Sequence, residues 1–344
     1  MACRTLILAV LVVIFQQVHA FSPRAVRKSD LALSSQKSEL AEDKKRALLE
    51  TFGAGVGEES LLLCPLSLTP LALGSRSYWF LDERYLTSRE FGSVYKQDPR
   101  GVFWDLTIPS ENDAKPWWQL SQRERVGSRL FQSPLLPFVY ERGYRQNFEN
   151  AGFPGPDKEY AEAESFFLEG EGDGGSKVVL DLSCGSGFMS RRFINSGKFR
   201  QVVSADLSPA MLLETARRCD EENVPRPTMI RADAARLPFA SNSLDCVHAG
   251  AAMHCWPRLA ESLSEIYRVL KPGGKFFTTT FFSSLPNVAF QRREGGGGTA
   301  ASGFYLFESS QEIESFVRGG GFEDVTVRQE GRGCAIVKAA KALV

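Results

Sequence analysis

Val179-Leu180-Asp181-Leu182-Ser183-Cys184-Gly185-Ser186-Gly187 decides how this 344-residue chain is organised. An apolar run carrying one acid leads straight into a turn of small residues, and the pattern beyond the turn is helical. That is a buried strand, expected over 178–182, feeding a tight turn and a helix. The alternation continues to the end of the chain, with further strands expected over 202–205, 229–232, 244–249 and 275–281. Ser208-Pro209 sets an N-cap before a proline at the first helical position and opens a helix to about Glu222. Another helix runs from about Leu259 to Leu270 and stops before Lys271-Pro272-Gly273-Gly274. Ser309 with Glu312 makes a capping box for a last helix, which ends at Gly319-Gly320-Gly321. Two short strands, 325–328 and 335–338, close the chain as a hairpin with its turn at 330–333. Strands alternating with helices imply an α/β fold built on a doubly wound parallel sheet. The hairpin adds one antiparallel strand at an edge.

Upstream of this region the pattern changes. Residues 169–175 read EGEGDGG, a flexible boundary. Residues 117–168 are helical and aromatic, with Phe131, Phe138, Tyr140, Tyr144 and Phe148 prominent, while 61–108 carry short apolar runs and turns that suggest a small strand-rich module. Residues 31–60 are a polar linker. At the start, Arg4 precedes an unbroken apolar run over 6–15, and Val18-His19-Ala20 offers a signal-peptidase site, so 1–20 read as a signal peptide. The run is about half the ~20 residues that span a bilayer. After it come Ser22, Arg24, Arg27 and Lys28 with no acid before Asp30, as in transit peptides. A signal peptide followed by such a segment resembles the bipartite leader that directs proteins into secondary plastids. A plain secretory signal is the alternative.

Composition narrows the partners. Lys+Arg and Asp+Glu both number 41, so no global field favours nucleic acid. The seven cysteines, Cys3, Cys64, Cys184, Cys219, Cys246, Cys255 and Cys334, form no C-x-x-C pair and read as reduced thiols.

The chemistry sits at the ends of the strands. Small residues at Ser183, Gly185 and Gly187 let the backbone approach a ligand at the carboxyl edge of the sheet, where such folds bind cofactors. Asp181 would repel a dinucleotide diphosphate but tolerate a cationic sulfonium ligand. Ser190 also occupies the third glycine position of G-x-G-x-x-G. Both points favour S-adenosylmethionine over a nicotinamide cofactor. Asp206, 25 residues beyond Asp181, is placed to accept both ribose hydroxyls. Asp233, in Ala232-Asp233-Ala234, can accept from an adenine amino group or simply serve a turn.

Taken in order, DLSCGSG, SADLSPAML, RADAARLPF, LDCVHAG and LKPGGKF resemble the class I methyltransferases with their Rossmann-like fold, nearest the ubiquinone/menaquinone C-methyltransferase-like branch, over about 177–338. The stretch RLFQSPLLPFVYERGYRQNFENAGFPGPDKEY resembles plastid-type methyltransferases of plants and algae, which extends the domain over 117–344 with a helical N-terminal cap. The resemblance implies a cofactor set of Asp181, Ser183, Gly185, Gly187, Asp206, Leu207, Asp233 and Ala234. Tyr144 and Arg145 match a segment that helps cover the cofactor in that family; a helix packing an aromatic face is their other reading. Family members carry a zinc-ribbon-like module before this region. Here only Cys64 remains, with Ser88 and Phe91 about where the later pair would stand. One thiol cannot make a tetrahedral zinc site, so a degenerate module and no metal are expected.

His248 and His254, in Asp245-Cys246-Val247-His248-Ala249-Gly250-Ala251-Ala252-Met253-His254-Cys255-Trp256-Pro257, are the histidines beyond the leader. This segment lacks the Asn/Asp-Pro-Pro-aromatic run of base-modifying amino-methyltransferases, which further argues against nucleic-acid substrates. His248 reads as a hydrogen-bonded core residue. His254 is placed to be the catalytic base or to line the pocket without moving a proton. Phe281, Phe282, Phe290, Phe304, Tyr305 and Phe307 suggest a lid over an apolar acceptor, or ordinary core, and Gly295–Gly298 a mobile loop. By analogy the acceptor is a quinone, phenolic or pigment-related plastid lipid, with peripheral contact to plastid membrane or lipid bodies. A catalytically silent S-adenosylmethionine-binding protein and an NAD-dependent oxidoreductase are the rival functions.

Overall fold

The computed structural model describes residues 61–65, 68–78, 81–88, 93–108, 152–170, 174–282, 290–292, 298–300, 305–331 and 333–343. The leader and linker, Phe91, Phe131 to Phe148 with Tyr144 and Arg145, Phe304 and most of Gly295–Gly298 lie outside these residues. The first elements are β1 (Leu71–Tyr78), β2 (Leu81–Ser88), β3 (Val94–Lys96), β4 (Trp104–Asp105) and α1 (Pro156–Leu168). The glycine-turn region then supplies β5 (Val178–Leu182), α2 (Phe188–Ser196), β6 (Gln201–Asp206), α3 (Pro209–Glu221) and β7 (Thr228–Arg231). Next come β8 (Leu244–Ala249), α4 (Leu259–Val269), β9 (Leu270–Phe281), β10 (Phe290–Arg292), β11 (Gly298–Ala300) and β12 (Tyr305–Leu306). The chain closes with α5 (Ser310–Gly319), β13 (Asp324–Glu330) and β14 (Cys334–Ala340).

The main sheet has eight strands in the order β13-β14-β9-β8-β5-β6-β7-β4. β5 is buried along its whole length, as a strand covered on both faces must be. Alternate residues divide the core. Val179, Val202, Cys246 and Phe277 pack with Phe167 of α1 and Phe193 of α2, and Met229 with Leu212 and Ala216 of α3. On the other face Leu180, Val203, Val247 and Phe276 meet Leu263 and Ile266 of α4 and Ile313 and Val317 of α5. β14 pairs antiparallel with both β9 and β13, the edge hairpin expected from the sequence.

Both predicted caps form. Ser208 Oγ accepts from Met211 N, and Ser309 Oγ accepts from Glu312 N at 3.1 Å. The return bond of the second cap goes from Glu308 N to Glu312, one residue before the cap. β9 begins at Leu270 rather than at 275, because Leu270 already pairs with Leu244 of β8, and Gly273, at φ 74°, donates from its N to Lys341 O at 3.0 Å. A register shift between Leu244 and Cys246 accommodates it.

The described residues of 61–108 share their core with the rest of the chain. β1, β2 and β3 make a three-stranded antiparallel sheet, but Leu62, Leu71, Leu86 and Trp104 share one cluster with the α4 face. β4 pairs parallel with β7 at the edge of the main sheet. Cys64 Sγ lies 3.1 Å from Tyr95 Oη and Thr69 Oγ1 lies 2.7 Å from Ser88 Oγ, contacts that tie this sheet to the segment before it.

Candidate active site

The chain runs from β5 outward through β6 to β7, then returns to the other side of β5 to make β8. Crevices open at such a reversal of strand order. A cavity of about 630 Å³, counting its open mouth, lies here between α1, the turn after β5 and the turn after β8. Asp181, Ser183, Gly185, Glu159, His248 and Gly250 are among its walls.

The turn has the close-approach geometry that its small residues suggested. Ser183, Gly185 and Gly187 all have left-handed backbones, with φ of 56°, 57° and 70°. A Cβ on Gly187 would lie 2.3 Å from Thr215 Cγ2, so α3 can pack here only against a glycine. Ser183 is not a glycine, and this conformation costs an L-residue roughly 1–2 kcal/mol. Its Oγ accepts from Trp256 Nε1 at 3.0 Å, which ties the turn to the segment after β8.

Asp206, at the end of β6, points across the same turn. Its Oδ2 accepts from Gly185 N at 2.9 Å and its Oδ1 from Ser208 N at 2.8 Å. Burial pushes its carboxyl up to about 6 against these two stabilising bonds. Each oxygen keeps a lone pair for a further donor, which suits a vicinal diol. Leu207 follows, its carbonyl held by Arg231 Nε at 3.0 Å, while Arg231 Nη1 pairs with Asp105 of β4 at 2.9 Å. Asp233 stands after β7, next to buried Ala234. Its Oδ1 accepts from Ala235 N at 2.9 Å and its Oδ2 pairs with Arg258, so the turn role is realised.

The two histidines have different surroundings, and His248 is the buried, hydrogen-bonded strand residue expected from the sequence. His254, in a 3₁₀ turn at Met253–Cys255, is 7% exposed and is not among the residues lining the cavity. Its ring meets Phe281 edge-on at 4.8 Å, and its Nδ1 lies 3.4 Å from Thr280 Oγ1. Burial drives its imidazole down to about 3. Such a ring is a poor proton acceptor near neutrality. His248 lines the cavity instead, with Nδ1 2.9 Å from Asp181 Oδ1 and Nε2 3.5 Å from Glu159 Oε1. Of the lid aromatics, Phe282, Tyr305 and Phe307 belong to the main core. Phe281 packs tilted against Phe153 of the cavity wall, with ring centroids 4.5 Å apart.

Glu159 and Trp256 were not anticipated as site residues. Glu159 lies in GFPGPDKEY, where Pro156 announces a helix but nothing local shows which face meets β8. Among the described residues no group of His, Cys, Asp and Glu could hold a metal ion.

Comparison with known proteins agrees with this geometry. A family model described as a methyltransferase domain matches residues 180–278. Two uncharacterized chloroplastic methyltransferases of Arabidopsis thaliana are similar along most of the chain. One is 38% identical over 252 residues, covering 70% of this chain and 67% of the relative. The other is 36% identical over 284 residues, covering 80% and 77%. The ubiquinone/menaquinone biosynthesis C-methyltransferase UbiE of Cereibacter sphaeroides is 35% identical over 114 residues, 33% of this chain and 45% of that protein.

Proposed function

The chain belongs to the class I S-adenosylmethionine-dependent methyltransferases, and from that premise we propose that it methylates a small, partly apolar plastid compound. The observation that carries this reading is the cradle formed by Asp206, Gly185 and Gly187 beside an open cavity at the strand-order reversal. The residues fit the cofactor. Asp206 would take the ribose hydroxyls, the Ser183–Gly187 turn would lie along the sulfur-bearing chain, and Leu207, Asp233 and Ala234 would border the adenine. Tyr144 and Arg145 would cover it, by resemblance. S-adenosylmethionine supplies an electrophilic methyl group on a sulfonium, and the protein's task is to orient the acceptor in line and exclude water.

A quinone, phenolic or pigment-related lipid is the acceptor class we favour. Phe153, Phe188 and Met189 give the cavity an apolar side, and the relative UbiE is named for quinone biosynthesis. Residues 1–60 are read as a signal peptide, a transit-like segment and a linker, with the leader directing the chain into a plastid, a reading supported by the chloroplastic relatives. Peripheral contact with a plastid membrane or lipid body would bring such an acceptor within reach.

Incubating the purified protein with methyl-labelled S-adenosylmethionine and plastid lipid extract tests the proposal. Transfer of label into an extractable product is expected. Tight binding of S-adenosylhomocysteine without turnover on any extract would favour the catalytically silent alternative instead.

A further inference from the structure

One wall of the cavity carries a buried line of charges. Ser190 Oγ donates to Asp181 Oδ2, and Asp181 Oδ1 lies 2.9 Å from His248 Nδ1. His248 Nε2 faces Glu159 Oε1 at 3.5 Å, too long for a good hydrogen bond but close enough for charge to act. Nε2 has no other partner, although it is sealed from solvent. Thr279 Oγ1 donates to Glu159 Oε1 at 3.2 Å and accepts from Ala251 N at 2.7 Å, which fixes the carboxylate over the turn after β8. Gly250 leaves room for it, since a Cβ there would lie 2.7 Å from Glu159 Oε1. Asp181, His248 and Glu159 are 2%, 1% and 7% exposed.

The charges do not cancel. Between two carboxylates the imidazole of His248 is held protonated, its pKa raised to about 9 against the cost of burial. Two carboxylates and one imidazolium leave one unbalanced negative charge, and a buried unbalanced charge is costly unless a cation joins it. Glu159 Oε2 has no protein partner among the described residues.

The direction of the bound cofactor follows from strand order once the adenine is placed beside Asp233 as proposed above. Asp206 closes on Gly185, which lines this cavity, so a ribose held by Asp206 lies at its edge. β7 lies on one side of β6, and β5 with β8 on the other. With the base towards β7, the substituent on the 5′ carbon must run towards β5 and β8. In S-adenosylmethionine that substituent ends in an amino acid.

We propose that Glu159, braced by His248 and Thr279, receives the α-ammonium group of the cofactor's amino-acid tail. This rests on the cofactor reading above. Glu159 is then a cofactor-binding residue contributed by the helix before the sheet, and His248 a positioning residue that keeps two neighbouring carboxylates from repelling each other.

Calorimetry on the full chain tests the assignment with two ligands, S-adenosylhomocysteine, which carries the amino-acid tail, and 5′-methylthioadenosine, which lacks it. Glu159→Gln is expected to weaken S-adenosylhomocysteine by roughly tenfold or more, the worth of a charge-assisted hydrogen bond. Its affinity for 5′-methylthioadenosine should stay within about twofold, since the ribose contacts are untouched. A second measurement needs no variant: an S-adenosylhomocysteine analogue with hydrogen in place of the α-amino group should bind the wild-type protein roughly tenfold more weakly. Equal loss of both ligands in Glu159→Gln, or an amino-free analogue that binds as well as S-adenosylhomocysteine, would overturn the assignment while leaving the cofactor reading intact. Wild-type protein that binds neither nucleoside would overturn both.

Discussion

Helix α2 offers a controlled comparison, because it is flanked by two glycines of nearly the same backbone conformation. Gly187 precedes it at φ 70° and Gly197 follows it at φ 65°. Alanine at either position meets the left-handed penalty of roughly 1–2 kcal/mol. At Gly197 nothing lies within 4 Å of the added carbon, so the penalty should stand alone. At Gly187 the new Cβ would meet Thr215 Cγ2 at 2.3 Å, Oγ1 at 2.9 Å and Cβ at 3.0 Å. Thr215 is fully buried, and its Oγ1 donates to Gly185 O at 3.0 Å. Relieving the overlap therefore means shifting α3 or turning Thr215 out of that bond. Overpacking costs about 1–3 kcal/mol and the lost bond ~1 kcal/mol, so Gly187→Ala should destabilise by roughly 3–6 kcal/mol in all. At about 2–4 °C per kcal/mol for a domain of this size, that corresponds to a Tm lower by roughly 6–24 °C. Gly197→Ala should lower it by only about 2–8 °C. Circular-dichroism melts and urea unfolding of the two variants measure the difference. Gly187→Ala combined with Thr215→Ser, which removes the nearest methyl, should recover part of the loss. If the two glycine variants unfold within about 1 kcal/mol of each other, the close approach at Gly187 is not what shapes the turn.

Two further outcomes concern titration. The Asp206 carboxyl sits near 6, above its ordinary 3.8, and only its ionised form offers acceptors to both hydroxyls of a ribose. Affinity for S-adenosylhomocysteine should thus rise with pH through about 6 and level off above, by at most tenfold per pH unit, as calorimetry between pH 5 and 8 would show. A flat profile over that range would remove Asp206 from the ribose. For His254, whose ring burial keeps neutral, His254→Gln should change turnover less than about threefold and leave the pH–rate profile in place. A loss of 10²-fold or more, together with a lost limb near neutrality, would return the base role to it.

Local patterns sufficed for the scaffold. The fully buried β5 with its single acid, the small residues after it, the caps at Ser208 and Ser309 and the closing hairpin depend on neighbours a few positions away, and each stands where its residues place it. Asp206 was legible too, since the end of a strand beside a glycine turn fixes where its carboxylate can point. Partnerships across long separations were not legible. Trp104 has a short apolar context that fits a strand in any sheet, and only packing joins β4 to β7. His248 and His254 stand six residues apart with similar apolar surroundings, yet one lines the cavity between two carboxylates and the other is buried beside Phe281. What separates them is where the strand ends and how the next turn folds back. Glu159 meets His248 across 89 positions of chain because α1 crosses the end of β8. Sequence periodicity says which face of a helix is buried, while the contact that face makes, and so the charge balance of the site, is decided when the helix docks.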